Sequence, residues 1–270
     1  KVVLFEDLIK DDHKLNSKTS YATIMFDDGY KDNIEFAAPI LKKYGVKASF
    51  YVVTDCINNN IPTWTHTLEH AFQNTGIADL VIDFDFLPSE YQIKNLPTRE
   101  ARINYAKKLK PFLKKLPSNQ RLQVLNRIQQ SYVDCPSPKI MMDWEDLKKL
   151  KEQGHYIGSH TVSHNMLGTM SDEKEIQYEL SESAREIESH LGHFPETISY
   201  PIGSYDDRVK LLSQKVGYSS GLAVHQDLFD PKKQDKFEIR RIELYNEPWW
   251  KTKMRISHSL ERVKSIIRYK

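Results

Sequence analysis

Two histidines four residues apart, His160 and His164, stand just beyond a short β-prone run, and an Asp27-Asp28-Gly29 triplet stands just beyond another. At that spacing on a helix, two imidazoles share a face and can reach one ion. A catalytic site of the zinc type wants three protein ligands and an open position, and Asp28 would complete an Asp-His-His set. Adjacent aspartates repel, so a solvated turn is the ordinary reading of Asp-Asp-Gly. A divalent cation on Asp28 reverses that cost. Asp27 then stays ionised beside a water whose pKa is lowered toward neutrality, the position a general base requires. The same H-T-x-x-H shape recurs at His66 and His70, so shape alone does not choose. Context favours His160, which follows a strand-like run and Gly158-Ser159. His66 has Trp64 beside it and no carboxylate strand, and reads as structural or substrate-facing.

The elements that must carry these residues alternate between strand and helix patterns. Residues 21–26 are short, apolar and β-prone and run into Asp27. Residues 33–44 have helical spacing and stop at Gly45, and 48–53 form a second strand, which makes a βαβ unit with parallel strands. Further on come a helix over 143–153, a strand over 155–159, a helix over 171–191 with Ser171 as N-cap, and a strand over 197–200. A helix over 207–216 and strands around 222–224 and 238–244 complete the series. Residues 58–139 break the rhythm: seven prolines punctuate short helical stretches over 99–116 and 119–132. The segment reads as a helical insertion after the second strand of a single domain covering 1–270. In such folds functional groups gather at the carboxyl ends of strands, and Asp27, His160 and the run Tyr200-Pro201-Ile202-Gly203 all fall there.

A length of 270 residues suits one α/β barrel, and hydrophobic and charged fractions of 39% and 28% allow a buried core without a partner. With 39 basic against 37 acidic residues, a net charge of +2 excludes nucleic acid as the main partner. No apolar run approaches the ~18 to 20 residues that span a bilayer, and no basic-then-apolar leader opens the sequence. The chain is expected to be soluble. Its start at Lys1, directly in structure-forming sequence, reads as a trimmed or processed chain and leaves cell envelope and cytoplasm both open. Cys56 and Cys135 are too few for a disulfide framework. They read as free thiols, with a bond across the neck of the insertion as the lesser alternative.

Phe26-Asp27-Asp28-Gly29, His160-x-x-x-His164 and Ser199-Tyr200-Pro201-Ile202-Gly203 resemble, in order, the first three motifs of the NodB-homology polysaccharide deacetylases, carbohydrate esterase family 4. The resemblance implies a distorted (β/α)7 barrel and a divalent metal on Asp28, His160 and His164, zinc first, with cobalt, nickel or manganese as alternatives. It also implies Asp27 as base and a backbone N–H in the Pro201-Ile202-Gly203 turn for the oxyanion, with Tyr200, Pro201 and Ile202 as the residues at the substrate. The substrate would be an N-acetylated glycan, either a polysaccharide containing N-acetylhexosamine or a glycolipid, cut at a linear amide bond.

Two features depart from the family pattern. Many members carry an Arg at the start of the third motif, where this chain has Ile198-Ser199. Arg240 or Arg241 is left to supply the charge, and Arg241 is taken as the candidate. The family's Leu-x-His is replaced by Ile242-Glu243-Leu244-Tyr245, so the acid that protonates a leaving amine falls to His225, with His258 further out. Two alternatives follow: a relative that binds metal and glycan without catalysis, and an O-acetyl esterase on the same fold. The insertion is expected to wall one side of the cleft and set substrate choice. The aromatic residues Trp64, Trp249, Trp250, Tyr200 and Tyr205 suit sugar faces, although core packing is the default for each.

Overall fold

The computed structural model of the 270-residue chain describes residues 1–10, 19–230, 235–257 and 259. His258 lies outside the described residues. In chain order the elements are α1 (Phe5–Lys10), β1 (Met25–Phe26), α2 (Ala38–Lys43), β2 (Ser49–Val52), α3 (Thr54–Asn59), α4 (Trp64–Asn74) and β3 (Asp79–Val81). There follow β4 (Ile93–Asn95), α5 (Arg99–Leu113), α6 (Ser118–Ser131), α7 (Trp144–Glu152), β5 (Tyr156–Ser159) and α8 (Glu173–Leu191). The series ends with β6 (Thr197–Ser199), α9 (Asp207–Val216), β7 (Ser220–Leu222) and α10 (Trp249–Ile256).

Five of these strands form one parallel sheet in the order β1-β2-β5-β6-β7. Single parallel bridges add Val2 beside Ala22 at one edge and Ile239 beside Leu222 at the other, which gives seven staves. The sheet is curled into a half-barrel. The strand expected over 238–244 is reduced to the one bridge at Ile239, and the strand over 21–26 pairs as a ladder only at Met25–Phe26.

Alternation along β2 sorts the two faces of the curl. Phe50 and Val52 pack outward with Ala38 and Leu41 of α2, Leu147 and Leu150 of α7, and Ile187 of α8. Tyr51 points inward to Phe5, Leu222 and Ile239. There the buried Glu6 of α1 accepts hydrogen bonds from Ser49 Oγ and Tyr51 Oη, both at 2.7 Å. Gly158 makes room for the Tyr51 ring, because a Cβ at that position would stand 2.5 Å from it. Helix α2 is preceded by a π-helical turn over Asn33–Ala37. Pro39 has no N–H to give to the Glu35 carbonyl, and the ladder widens before it.

Helix α7 starts on an Asp143–Asp146 capping box, whereas α8 is capped by Asp172 rather than Ser171. Asp172 is the residue whose carboxylate reaches the Lys174 N–H, at 2.8 Å. Between β2 and β5 the chain leaves the sheet. The segment is not wholly helical: β3 and β4 pair as an antiparallel hairpin among α4, α5 and α6. Its buried residues, from Leu68 through Leu109 to Tyr132, form a hydrophobic cluster of their own. Cys56 and Cys135 are both free.

Candidate active site

Asp27 and Asp28 follow β1, and the chain turns there on two left-handed residues, Asp28 at φ 75° and Gly29 at φ 90°. A side chain at position 29 would be strained and would meet Ile57 at 3.0 Å, so the turn needs glycine. The turn brings the Asp28 carboxylate to His160 Nε2 at 3.3 Å and His164 Nε2 at 3.4 Å. Ligand atoms of Asp28, His160 and His164 all lie within 4.8 Å of one another.

The histidines do not reach this geometry by helical spacing. Residues 160–166 are a loop, with Thr161 at φ 68° and His164 at φ 57°. Left-handed backbone at non-glycine residues costs free energy and persists only where its surroundings hold it. The surroundings here are Glu179, a buried carboxylate on α8. It accepts from the Val162 N–H at 3.0 Å, the Ser163 N–H at 2.9 Å and Asn165 Nδ2 at 2.9 Å, and also from Ser163 Oγ. On the other side the Thr54 and Asp55 N–H groups, opening α3, donate to the carbonyls of Thr161 and Val162. Arg121 of α6 donates to Asn165 Oδ1 at 3.1 Å, which ties segment 58–139 to the same loop. Glu179 and Arg121 were not legible as site residues: a Glu inside an amphipathic helix looks like any solvated one.

The donor set fits a divalent metal. His160 Nδ1 donates to the Ser199 carbonyl at 2.6 Å, which fixes its proton on that nitrogen and leaves Nε2 free to ligate. His164 Nδ1 is buried without a protein partner among the described residues. Burial holds the His164 imidazole at about 4, so it is neutral at ordinary pH. Burial pushes His160 down too, but the carboxylates of Asp27 and Asp28 outweigh it and raise its pKa. One neutral imidazole, one anchored imidazole and one carboxylate is a zinc-type set.

Asp27 is held differently. Arg241 binds it through two hydrogen bonds, Nη1 to Oδ1 at 3.0 Å and Nη2 to Oδ2 at 2.8 Å, and Ser199 Oγ donates at 3.2 Å. Burial would raise its pKa, but the charges of Arg241 and His160 and these hydrogen bonds win and leave it at about 2. Arg240 points away from this pair and ion-pairs with Asp227 at 2.8 Å. Successive side chains of an extended segment face opposite sides, which is why only one of the two arginines reaches Asp27.

These residues open on a cleft of about 300 Å³ lined by Asp27, Asp28, His160, His164 and Ile202 together with Thr65, Lys110, Lys114, Val224 and Glu243. In the turn after β6, the Gly203 and Ser204 N–H groups donate to the Tyr200 and Pro201 carbonyls, and proline has none to give. The Ile202 N–H has no protein acceptor among the described residues. Tyr200 is a correction to the sequence reading. Its ring is fully buried and stacks on Tyr205 at 5.1 Å, and its N–H is spent on the Leu222 carbonyl.

His225 is another correction: it is exposed and absent from the cleft lining, and its carbonyl accepts from the Arg241 N–H. Chain direction after β7 brings Val224, not His225, to the rim. His66 and His70 lie on α4, half-buried, with His66 against the Tyr30 ring at 5.4 Å. Trp249 and Trp250 are exposed on α10.

Comparison with known proteins agrees with this architecture. The polysaccharide deacetylase family model matches residues 14–221. Chitin deacetylase 2 of Saccharomyces cerevisiae is 34% identical over 115 residues, 42% of this chain and 36% of that protein. YxkH of Bacillus subtilis is 21% identical over 199 residues, 74% of this chain and 43% of that one. The chain thus spans less than half the length of these curated relatives. Among solved structures, Streptococcus pyogenes deacetylase PplD in complex with acetate superposes with a TM-score of 0.58 at 16% identity, over 90% of this chain and 74% of that one. IcaB from Ammonifex degensii gives 0.56 at 13% identity, over 92% and 78%. At such identities the likeness carries the fold, and the family follows from the sequence match over most of the chain. The chain belongs to the polysaccharide deacetylase family.

Proposed function

We propose that the protein is a metal-dependent hydrolase that removes N-acetyl groups from a polysaccharide or glycolipid containing N-acetylhexosamine. The observation that carries this reading is the pairing, in one cleft, of the Asp28, His160, His164 set with a separate carboxylate held by Arg241. A divalent metal, zinc above cobalt, nickel or manganese, would be held by those three residues and supply Lewis-acid polarisation of the acetamide carbonyl and acidification of water. Asp27 points to the same requirement. A carboxylate at about 2 is a weak base, far below the pKa of about 15.7 for bulk water, so it needs a water made acidic beside it.

Arg241 and Ser199 fix the Asp27 carboxylate in one orientation, and Asp27 accepts the proton as the nucleophile forms. The Ile202 N–H, free of protein acceptors, is the backbone donor for the carbonyl oxygen as it turns tetrahedral. Acetate and a free amine are the products. Segment 58–139, an insertion in a single domain on this reading, forms one wall of the cleft through Thr65, Lys110 and Lys114.

A second reading, O-acetyl ester hydrolysis, is favoured by one observation: among the described residues, no histidine other than the two metal-type ligands lines the cleft. An alkoxide leaves with less help from an acid than an amine does. Acetate release from N-acetylated and O-acetylated oligosaccharides, with and without a chelator, separates the two. We expect release from the N-acetylated substrate, abolished by chelator and restored by zinc. In Asp27→Asn it should fall by about a thousandfold while bound metal is retained. Release from the O-acetylated substrate alone overturns the amide reading, and release indifferent to chelator overturns metal dependence.

A further inference from the structure

The cleft holds a cation that none of the chemistry above uses. Lys110 and Lys114, one helical turn apart at the end of α5, line it together with Asp27, Asp28, His160 and His164. The other charged groups of the cleft are answered within the protein. Arg241 holds Asp27, and His160 and His164 flank Asp28. Glu243 accepts from Gln226 at 3.0 Å and from Tyr245, and Lys110 pairs with Glu69. The Lys114 ammonium has no ion pair or hydrogen bond among the described residues. A lysine at a helix C-terminus is favoured by the helix dipole, but that accounts for a solvated side chain, not for one half-buried in a cleft beside a second lysine. Burial, and then Lys110, lower the Lys114 pKa, and the carboxylates of Glu243 and Glu69 raise it by less, so the charge is held at a net cost.

We infer that the cleft takes an acidic glycan, with a carboxylate or phosphate group on or next to the N-acetylated sugar, and that Lys114 receives this oxyanion. The inference rests on the deacetylase reading and names the substrate class for it. Two physical arguments support it. Glu243 and Glu69 attract Lys114 without forming an ion pair with it, so an incoming oxyanion supplies the direct contact they do not make, and the charge-assisted hydrogen bond forms in a partly dehydrated site. Deacetylation also leaves an amine that protonates at neutral pH. Beside two lysines that product is repelled, and an anion on the same glycan offsets the repulsion.

The test is titration calorimetry on the zinc-loaded protein with four oligosaccharides of equal length. The first alternates N-acetylhexosamine with uronic acid, and the second is its carboxyl-reduced form. The third is an N-acetylhexosamine oligomer bearing a phosphate monoester, and the fourth is its unphosphorylated parent. We expect at least one acidic oligomer to bind about tenfold more tightly than its neutral partner, and the tighter of the two acids identifies the oxyanion. In Lys114→Gln that ratio should fall toward one, and in Lys114→Arg it should persist, with the unfolding midpoint of both variants unchanged. Equal binding of every acidic and neutral pair overturns the inference, as does a preference that survives in a folded Lys114→Gln. Acetate release measured on the same oligosaccharides reports separately on the deacetylase reading. Preferential binding with no release from any of them sinks that reading and leaves the anion site standing.

Discussion

The molecule contains two H-T-x-x-H segments, and they behave in opposite ways. His66 and His70 lie on a regular helix, α4, where the i, i+4 spacing does put two imidazoles on one face. No carboxylate joins them there: the only group of ligand atoms close enough to hold a metal among the described residues is Asp28, His160 and His164. His160 and His164 lie on a loop with two left-handed residues, and these are the pair that closes on an aspartate. Helical spacing is therefore neither necessary nor sufficient for two histidines to close on a carboxylate. What distinguishes the two is the neighbourhood. One is pinned by Glu179 and faces the ends of β1 and β6, and the other packs against Tyr30 and bonds Asn74.

That contrast can be broken by exchange of single residues. The largest effect is expected from the histidines themselves. His164→Ala should weaken zinc binding by a hundredfold or more, about the upper end of what loss of a mere supporting contact costs, whereas the double change His66→Ala with His70→Ala should leave metal content within about twofold. Metal analysis after dialysis reads both, and equal losses would erase the distinction. Next comes the loop's support. Glu179→Ala removes no ligand, yet it frees Thr161 and His164 to leave their left-handed conformations, and zinc affinity should fall about tenfold. Unchanged affinity in a folded Glu179→Ala would mean that the loop holds itself.

The smallest effect is a proton. His164, at about 4, is already neutral, while His160 is raised and must lose its proton to ligate. Zinc affinity should therefore weaken as pH falls through the raised pKa of His160, a window that opens above the ordinary imidazole range, with about one proton released per zinc rather than two. The sign follows from His160: a raised pKa means that the proton competes better with the metal at low pH. Release of two protons in an unbuffered titration at about pH 6 would contradict the assignment to His160 alone.

Much of the fold was readable because its rules are local. A β-prone run that stops at Gly or Asp and a helix that stops at Gly45, Gly154 or Gly192 are short-range choices of burial and backbone, and 207–216 was located to the residue. The parts that were not readable depend on distant partners. Residues 79–95 of the expected helical insertion form a hairpin around a separate hydrophobic cluster, and the strand over 238–244 keeps one bridge at the sheet edge.

The site divides along the same line. The sequence alone determined which residues stand at strand ends, and with them Asp27, Asp28, His160 and the turn at Ile202, because strand direction and chain order place such residues on one rim. The tertiary structure decided the rest. It set His160 and His164 on a loop instead of a helix and seated Arg241, the candidate of two adjacent arginines, on Asp27, 214 residues away. It turned Tyr200 into the core, left His225 outside the cleft and brought Lys114 into it. Those outcomes are set by pairings across long sequence separations and by which face of a strand or loop meets the interior, and residue spacing along the chain carries no record of either.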